Sequence, residues 1–179
     1  MATVYNGNKY LVVYLRDDQG NVISGATVTV VLNGKTYTPT TDKNGQVKVS
    51  TNGLAPVKTY VAKITFKGNS KYDKSTKSVK INVQKATPKL TAAKKTFKRT
   101  VKVKNYAVVL KTNQNKAIKS AWVSLKVNKK TYKVKTNAKG QAIFKINNLA
   151  KKGTFNAVVK FAGNKYYNTK TVKAKITIK

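Results

Sequence analysis

The sequence predicts an all-β protein built as two tandem β-sandwich domains, and three observations predict it. Sliding the chain by 95 positions aligns Lys9 to Gln84 with Lys104 to Lys179 without a gap, and 26 of the 76 aligned positions are identical. Within each copy apolar and polar residues alternate with period two, the signature of half-buried strands. Clusters of Gly, Asn and Asp recur between the alternating runs, at the spacing of short strands joined by turns.

Taken in order, the first copy reads as strands near 10 to 16, 27 to 32, 35 to 38, 46 to 50, 58 to 66 and 78 to 84, with the second copy 95 residues further on. Asp17-Asp18-Gln19-Gly20, Asn33-Gly34, Asp42-Lys43-Asn44-Gly45 and Lys67-Gly68-Asn69 separate them. Asn33-Gly34 is a strong two-residue hairpin signal because both residues tolerate positive φ, and Asn128-Lys129 replaces it in the second copy. In that copy Trp122, Ser124 and Lys126 alternate with Val123, Leu125 and Val127. Lys133 and Lys135 flank Val134, and Lys173, Lys175, Thr177 and Lys179 alternate with Val172, Ala174, Ile176 and Ile178. Six or seven short strands per copy and no helix fit an immunoglobulin-like β-sandwich.

Domain boundaries are expected at 1 to 85 and 86 to 179, with Ala86-Thr87-Pro88-Lys89-Leu90 as a linker running into a first strand. Pro88 suits an edge position, since it has no N–H to give to the ladder. Residues 88 to 103 supply that first strand in the second domain, whereas only Met1 to Asn8 stand in the matching place of the first. The first domain is therefore expected to lack part of its first strand, and the chain reads as a piece of a longer array.

Composition narrows the function. The 179 residues hold 38 Lys+Arg, four acids, no His and no Cys, for a formal net charge of +34. Without His or Cys there is no imidazole or thiolate to act as base, nucleophile or soft metal ligand near neutral pH. The acids are Asp17, Asp18, Asp42 and Asp73, so residues 74 to 179 contain no carboxylate side chain and no acid pair for hydrolysis. No enzyme activity, no metal and no cofactor is expected. The 40% hydrophobic content, with ten Tyr and five Phe, is enough for a folded core. No apolar run reaches the length of a membrane span, so membrane insertion is not expected.

The order V-x-L-x-D-x-x-G-x-x-I-x-G-A-x-V from Val13 to Val28, then T-D-x-N-G-Q, L-A, T-Y-x-A, F-x-G-N-x-x-Y and a final I-x-V resembles bacterial Ig-like domains. More narrowly it is similar to the repeats of large adhesin-like surface proteins of methanogenic archaea. Phe66 to Tyr72 and Phe161 to Tyr167 are the most specific segments. The resemblance implies an extracellular stalk or attachment module at the cell surface or cell wall, and it carries no ligand specificity.

The charge is uneven. Residues 1 to 84 carry a net +8 and residues 85 to 179 a net +26. Lysines at alternate positions share a sheet face, so Lys126, Lys133, Lys135, Lys173, Lys175 and Lys179 are expected to form ladders of positive charge. Facing one another across strands, like charges repel by about 0.2–1 kcal/mol per close pair, and an anionic partner relieves that repulsion. The expected partner is an anionic cell-wall polymer or glycan carrying carboxylates or phosphates. The other readings are adhesion to a host or partner-cell glycan or protein, and a stalk with no ligand. Sequence-specific nucleic-acid binding is not expected: Arg16 and Arg99 are the only arginines, and no helix is available for a major groove. Tyr166 and Trp122 are candidates for stacking on a sugar, with packing at a domain junction as the competing role for each. Asp42-Lys43-Asn44-Gly45 lacks the Glu of a calcium loop and reads as a plain turn. No Lys–Asn crosslink is expected in the second domain, which has no acid to move the proton.

If Lys179 ends the natural chain, no anchoring helix or sortase-type tail follows, and retention at a surface is expected to be electrostatic.

Overall fold

Val28, Val30 and Leu32 are almost wholly buried while Thr29 and Val31 are turned outward, and this alternation gives a strand one wet and one dry face. The computed structural model, which describes residues 1–179, has fifteen strands, and the longer ones repeat this pattern over most of their length. They are β1 (Ala2–Val4), β2 (Tyr10–Tyr14), β3 (Val28–Leu32), β4 (Lys35–Tyr37), β5 (Gln46–Ser50), β6 (Lys58–Phe66) and β7 (Ser75–Gln84). After them come β8 (Lys89–Thr91), β9 (Lys95–Phe97), β10 (Lys104–Lys111), β11 (Trp122–Val127), β12 (Lys130–Lys135), β13 (Gln141–Ile146), β14 (Gly153–Phe161) and β15 (Lys170–Ile178). There is no helix.

The chain divides into two units, Met1–Lys85 and Ala86–Lys179. In the first, a sheet of order β1-β7-β6-β3-β4 faces the pair β2-β5. Leu11, Val47 and Val49 from the pair meet Val28, Val30, Leu32, Tyr60, Ile64 and Ile81 from the larger sheet in one core. In the second, the sheet β12-β11-β14-β15-β9 faces β13-β10-β8. Its core includes Tyr106, Leu110, Leu125, Phe144, Val159 and Ile176. Strands β2 to β7 correspond one by one to β10 to β15. The short β1 and β9 each run parallel to the last strand of their own unit. The units differ at β8, which pairs antiparallel with β10 and has no counterpart in the first unit.

Turn chemistry fixes the register. Asn33 and Gly34 sit at φ 51° and 73°, and Asn128 and Lys129 at φ 45° and 64°, so both β3–β4 and β11–β12 close through a two-residue turn with positive φ at both positions. Gly140 is needed for space: a Cβ there would lie 2.5 Å from the Leu110 carbonyl oxygen, and at Gly45 it would lie 2.6 Å from that of Leu15.

The strands differ from the sequence expectation at several ends. β7 begins at Ser75 rather than 78, and β15 covers 170 to 178 rather than 173 to 179. Ser75, Thr76 and Lys77 pair with Phe66, Thr65 and Ile64, yet all three are exposed, so no apolar alternation marks them. β2 ends at Tyr14, two residues early, because Leu15 to Ile23 fold into a turn.

Candidate functional site

Residues of β11, β12, β14 and β15 that do not enter the core form the outer face of the second unit's larger sheet. The register sets them in rows. Lys133 on β12 faces Ser124 on β11, which faces Lys160 on β14, which faces Thr171 on β15. In the next row Thr131, Lys126, Val158 and Lys173 stand side by side. Lys135 faces Trp122 at one end, and Lys175 faces Asn156 towards the other. All six lysines are exposed.

Five of the six lysines singled out from sequence therefore share this face: Lys126, Lys133, Lys135, Lys173 and Lys175. Lys179 lies beyond β15, its backbone tied by the Lys179 N–H to Phe97 O at 3.1 Å and by Arg99 N–H to its own carbonyl at 2.7 Å. Lys160 was missed. It follows Ala157-Val158-Val159 and reads as a lone charge on an apolar strand; only the sheet order sets it between Ser124 and Thr171.

One expectation is overturned. The lysines do run in ladders along β12 and β15, but across the strands of this face each has a neutral neighbour: Ser124, Thr131, Trp122, Thr171, Val158 or Asn156. Interleaving removes the closest like-charge contacts. Diagonal pairs remain, Lys126 with Lys133 and with Lys160, and Lys160 with Lys173, at about 7–8 Å, within the roughly 8 Å over which physiological salt screens charge. A facing pair does occur on the other sheet, where Lys111 opposes Lys89, and there Lys89 Nζ donates to Asn115 Oδ1 at 2.8 Å.

The first unit supplies the comparison. At the positions of Trp122, Ser124, Lys126, Lys133, Lys135, Lys160 and Lys173 it has Thr27, Thr29, Val31, Thr38, Thr40, Thr65 and Ser78. That face of the first unit does carry Lys80, at the place of Lys175, and Lys63, at the place of Val158. The fold tolerates threonine, serine or valine at the other places, so Lys126, Lys133, Lys135, Lys160 and Lys173 answer no structural need. The missing acids tell the same story. Asp17 Oδ1 accepts the amides of Gln19 and Asn21 at 3.0 and 2.7 Å, and Asp42 Oδ1 those of Asn44 and Gln46 at 2.8 and 2.9 Å. In the second unit Thr112 Oγ1 accepts from Gln114 and Lys116, both at 3.1 Å, and Asn137 Oδ1 from Lys139 and Gln141 at 2.9 and 3.0 Å. Neutral oxygens close the same turns, and the sheet surface is left with no carboxylate beside it.

Trp122 is 58% exposed on this face, and Lys135 Nζ sits 5.0 Å from its ring centroid, a cation–π contact. Beside the ring lies a shallow depression of about 540 Å³, lined by Trp122, Ser124, Lys133, Lys160 and Ala162. Tyr166, the other stacking candidate, is half-buried and has Lys165 Nζ 4.8 Å from its ring. It stands in the Gly163–Tyr167 turn between β14 and β15. No group of three or more acids could hold a metal ion, and the Asp42 carboxylate is turned onto backbone amides.

Among solved structures, the bacterial integrin-binding protein invasin is similar over 99% of this chain and 38% of its own, with 18% identity and a TM-score of 0.51. Both units are immunoglobulin-like β-sandwiches. Weaker likenesses include the Ca2+-stabilized ice-binding adhesin of an Antarctic bacterium, at 20% identity over 99% of this chain and 46% of that one, TM-score 0.36. Another is a tetra-tandem repeat from the extending region of a large adhesion protein, at 11% identity over 88% and 42%, TM-score 0.42. The chain thus spans less than half the length of each. No protein-family model matches the sequence, nor does any curated protein.

Proposed function

We propose that the chain is a non-catalytic, adhesin-like segment of an extracellular surface protein whose second Ig-like unit binds an anionic envelope polymer on the outer face of β12-β11-β14-β15. The observation that carries this reading is the enrichment of one face between two copies of one fold: at six places threonine, serine or valine in the first unit gives way to lysine or tryptophan in the second, which raises the lysines of the face from two, Lys63 and Lys80, to six. A polymer bearing carboxylates or phosphates at intervals meets cations spread over about 14 Å, and releases its counterions on binding. The exposed Trp122 ring adds a surface on which a pyranose can stack, with Lys133 and Lys160 beside it to take the acidic group of the same or the next residue. The likeness to repeats of methanogen adhesin-like proteins and the Ig-like fold support an attachment role.

The test compares two variants of the full chain for binding to a polyuronate and to a polyphosphate across salt concentrations. One carries K126V, K133T, K135T, K160T and K173S, each residue being the one the first unit holds at that place. The other removes five loop lysines, K102S, K116S, K129N, K139S and K151S. The face variant is expected to lose binding and salt dependence, while the loop variant keeps most of both. Equal loss in the two variants overturns the face as the site. Tighter binding to duplex nucleic acid than to either polymer overturns the partner class.

A further inference from the structure

Leu90 is 6% exposed in the second unit, seated on β8 opposite Leu110. β8 lies against β15 as well as β10, so it closes the edge where the two sheets of that unit meet. The whole segment is built for this place. Ala86, Pro88 and Leu90 are buried while Thr87, Lys89 and Thr91 face outward. Ala86 N–H donates to Tyr166 O at 3.0 Å and Ala86 O accepts from Asn168 N–H at 2.9 Å.

The same line in the first unit is open. β2 has β5 as its one ladder neighbour, and since Leu15 N–H is bonded to Gly45 O, the alternation of an antiparallel strand turns the backbone groups of Tyr14 away from β5, towards the edge. A cleft of about 330 Å³ runs between β2 and β7, lined by Val13, Tyr14, Leu15, Phe66 and Val79 among others. A second, of about 370 Å³, continues it past Leu15 and Phe66 to Tyr72 and Asp73. β2 and β7 correspond to β10 and β15, the two strands that β8 touches. Tyr72 corresponds to Tyr167, the residue bridged by Ala86. Core positions register the difference: Val13, Leu15 and Tyr72 are only half-buried, whereas Val108, Leu110 and Tyr167 are 1%, 0% and 8% exposed.

We infer that this groove is a strand-acceptor site, and that its ligand is an extended peptide of the Ala-x-Pro-x-Leu kind, added antiparallel to β2 with the leucine between Leu15 and Val79. The occupant is defined by the chain itself: Ala86–Thr91 is the segment that the same fold accepts at the same edge. Main-chain bonds to β2 supply affinity, and the alternate apolar side chains supply register.

The experiment uses the full chain, a synthetic peptide of the sequence Lys85–Ala93, and the same peptide with its leucine replaced by lysine. Amide hydrogen exchange and chemical shifts are followed at Val12 to Arg16 and at Ser75 to Val79. The first peptide is expected to saturate and to slow exchange at Tyr14 by about tenfold or more, while the more basic lysine peptide leaves it unchanged. In parallel, Lys85–Lys94 is fused ahead of Met1, which puts the added strand in the register of β8, and the fusion is expected to melt at a higher temperature than the fusion carrying Lys in place of Leu. Equal effects of the two peptides, or no protection at β2 together with no gain in the fusion, overturn the inference. Concentration-dependent protection of β2 without peptide assigns the edge to a second copy of the chain and overturns it too.

Discussion

The Thr136 hydroxyl donates to the Ile118 carbonyl oxygen at 2.6 Å and accepts the Ala121 amide at 3.0 Å, all of it buried. Thr41 makes the same pair of bonds with Ile23 at 2.8 Å and Ala26 at 2.9 Å. The chain leaves the turn after Leu15 or Leu110 and must re-enter the sheet at β3 or β11; this one side chain satisfies the two backbone groups exposed by the bend. Replacing it by the isosteric Thr136→Val leaves a buried amide and carbonyl without the hydroxyl. We expect a loss of about 1–3 kcal/mol from the second unit, measured by urea unfolding followed at Trp122. A change under a few tenths of a kcal/mol would show that the bend is held by backbone bonds alone.

The two units should part company in acid. The Asp17 carboxyl is held below the usual carboxylate range, first by the Asn21 side-chain amide and then by the backbone amides of the same turn. The Asp42 carboxyl is lowered chiefly by the Gln46 and Asn44 backbone amides. A depressed folded value contributes stability above the unfolded pKa that is lost as pH falls through the folded one. The first unit is therefore expected to lose amide protection as pH falls through and below the usual carboxylate range. Thr112 and Asn137 hold the equivalent turns of the second unit and do not titrate, so its protection should stay level. Parallel losses in both units would remove these turns as the cause.

Lys129 occupies the second positive-φ position of the β11–β12 turn at φ 64°, where Gly34 stands in the first unit. A side chain there costs roughly 1 kcal/mol against glycine. Lys129→Gly is expected to raise the stability of the second unit by about that amount, read as a shift of its denaturation midpoint with an unchanged slope. An unchanged midpoint would mean that the Lys129 side chain makes up the difference elsewhere.

The alternation of apolar residues and the Asn-Gly and Asn-Lys turns made most of the sandwich legible from sequence: β5, β6, β11 and β14 run as expected because each is flanked by turn residues and buries every second side chain. β1 and β9 were not, since three residues paired in parallel with a strand some eighty positions away leave no local period. The lysine face was half legible. Spacing of two puts Lys133 with Lys135 and Lys173 with Lys175, but which strands neighbour one another, and hence that Lys160 joins them and that a neutral residue stands directly across from each, is decided by topology. The open edge beside Leu15 was legible only as a shortage of residues before Lys9; its depth comes from β7 standing where β15 stands.

Trp122 is the only tryptophan of the chain, so its fluorescence reports on the face directly. Being 58% exposed, it adds little to the core, and Trp122→Ala should leave the unfolding midpoint nearly unmoved. If a sugar ring stacks on it, the loss removes about 1 kcal/mol of binding, roughly a fivefold weakening, for a polyuronate. A polyphosphate offers no ring face, so its affinity should change little, while the K133T and K160T substitutions weaken both and flatten the salt dependence. Titration of the wild-type chain should then quench or shift the fluorescence with the polyuronate far more than with the polyphosphate at equal saturation. Equal weakening of both polymers by Trp122→Ala would assign the indole a different task, that of holding Lys135 in place through the contact at 5.0 Å.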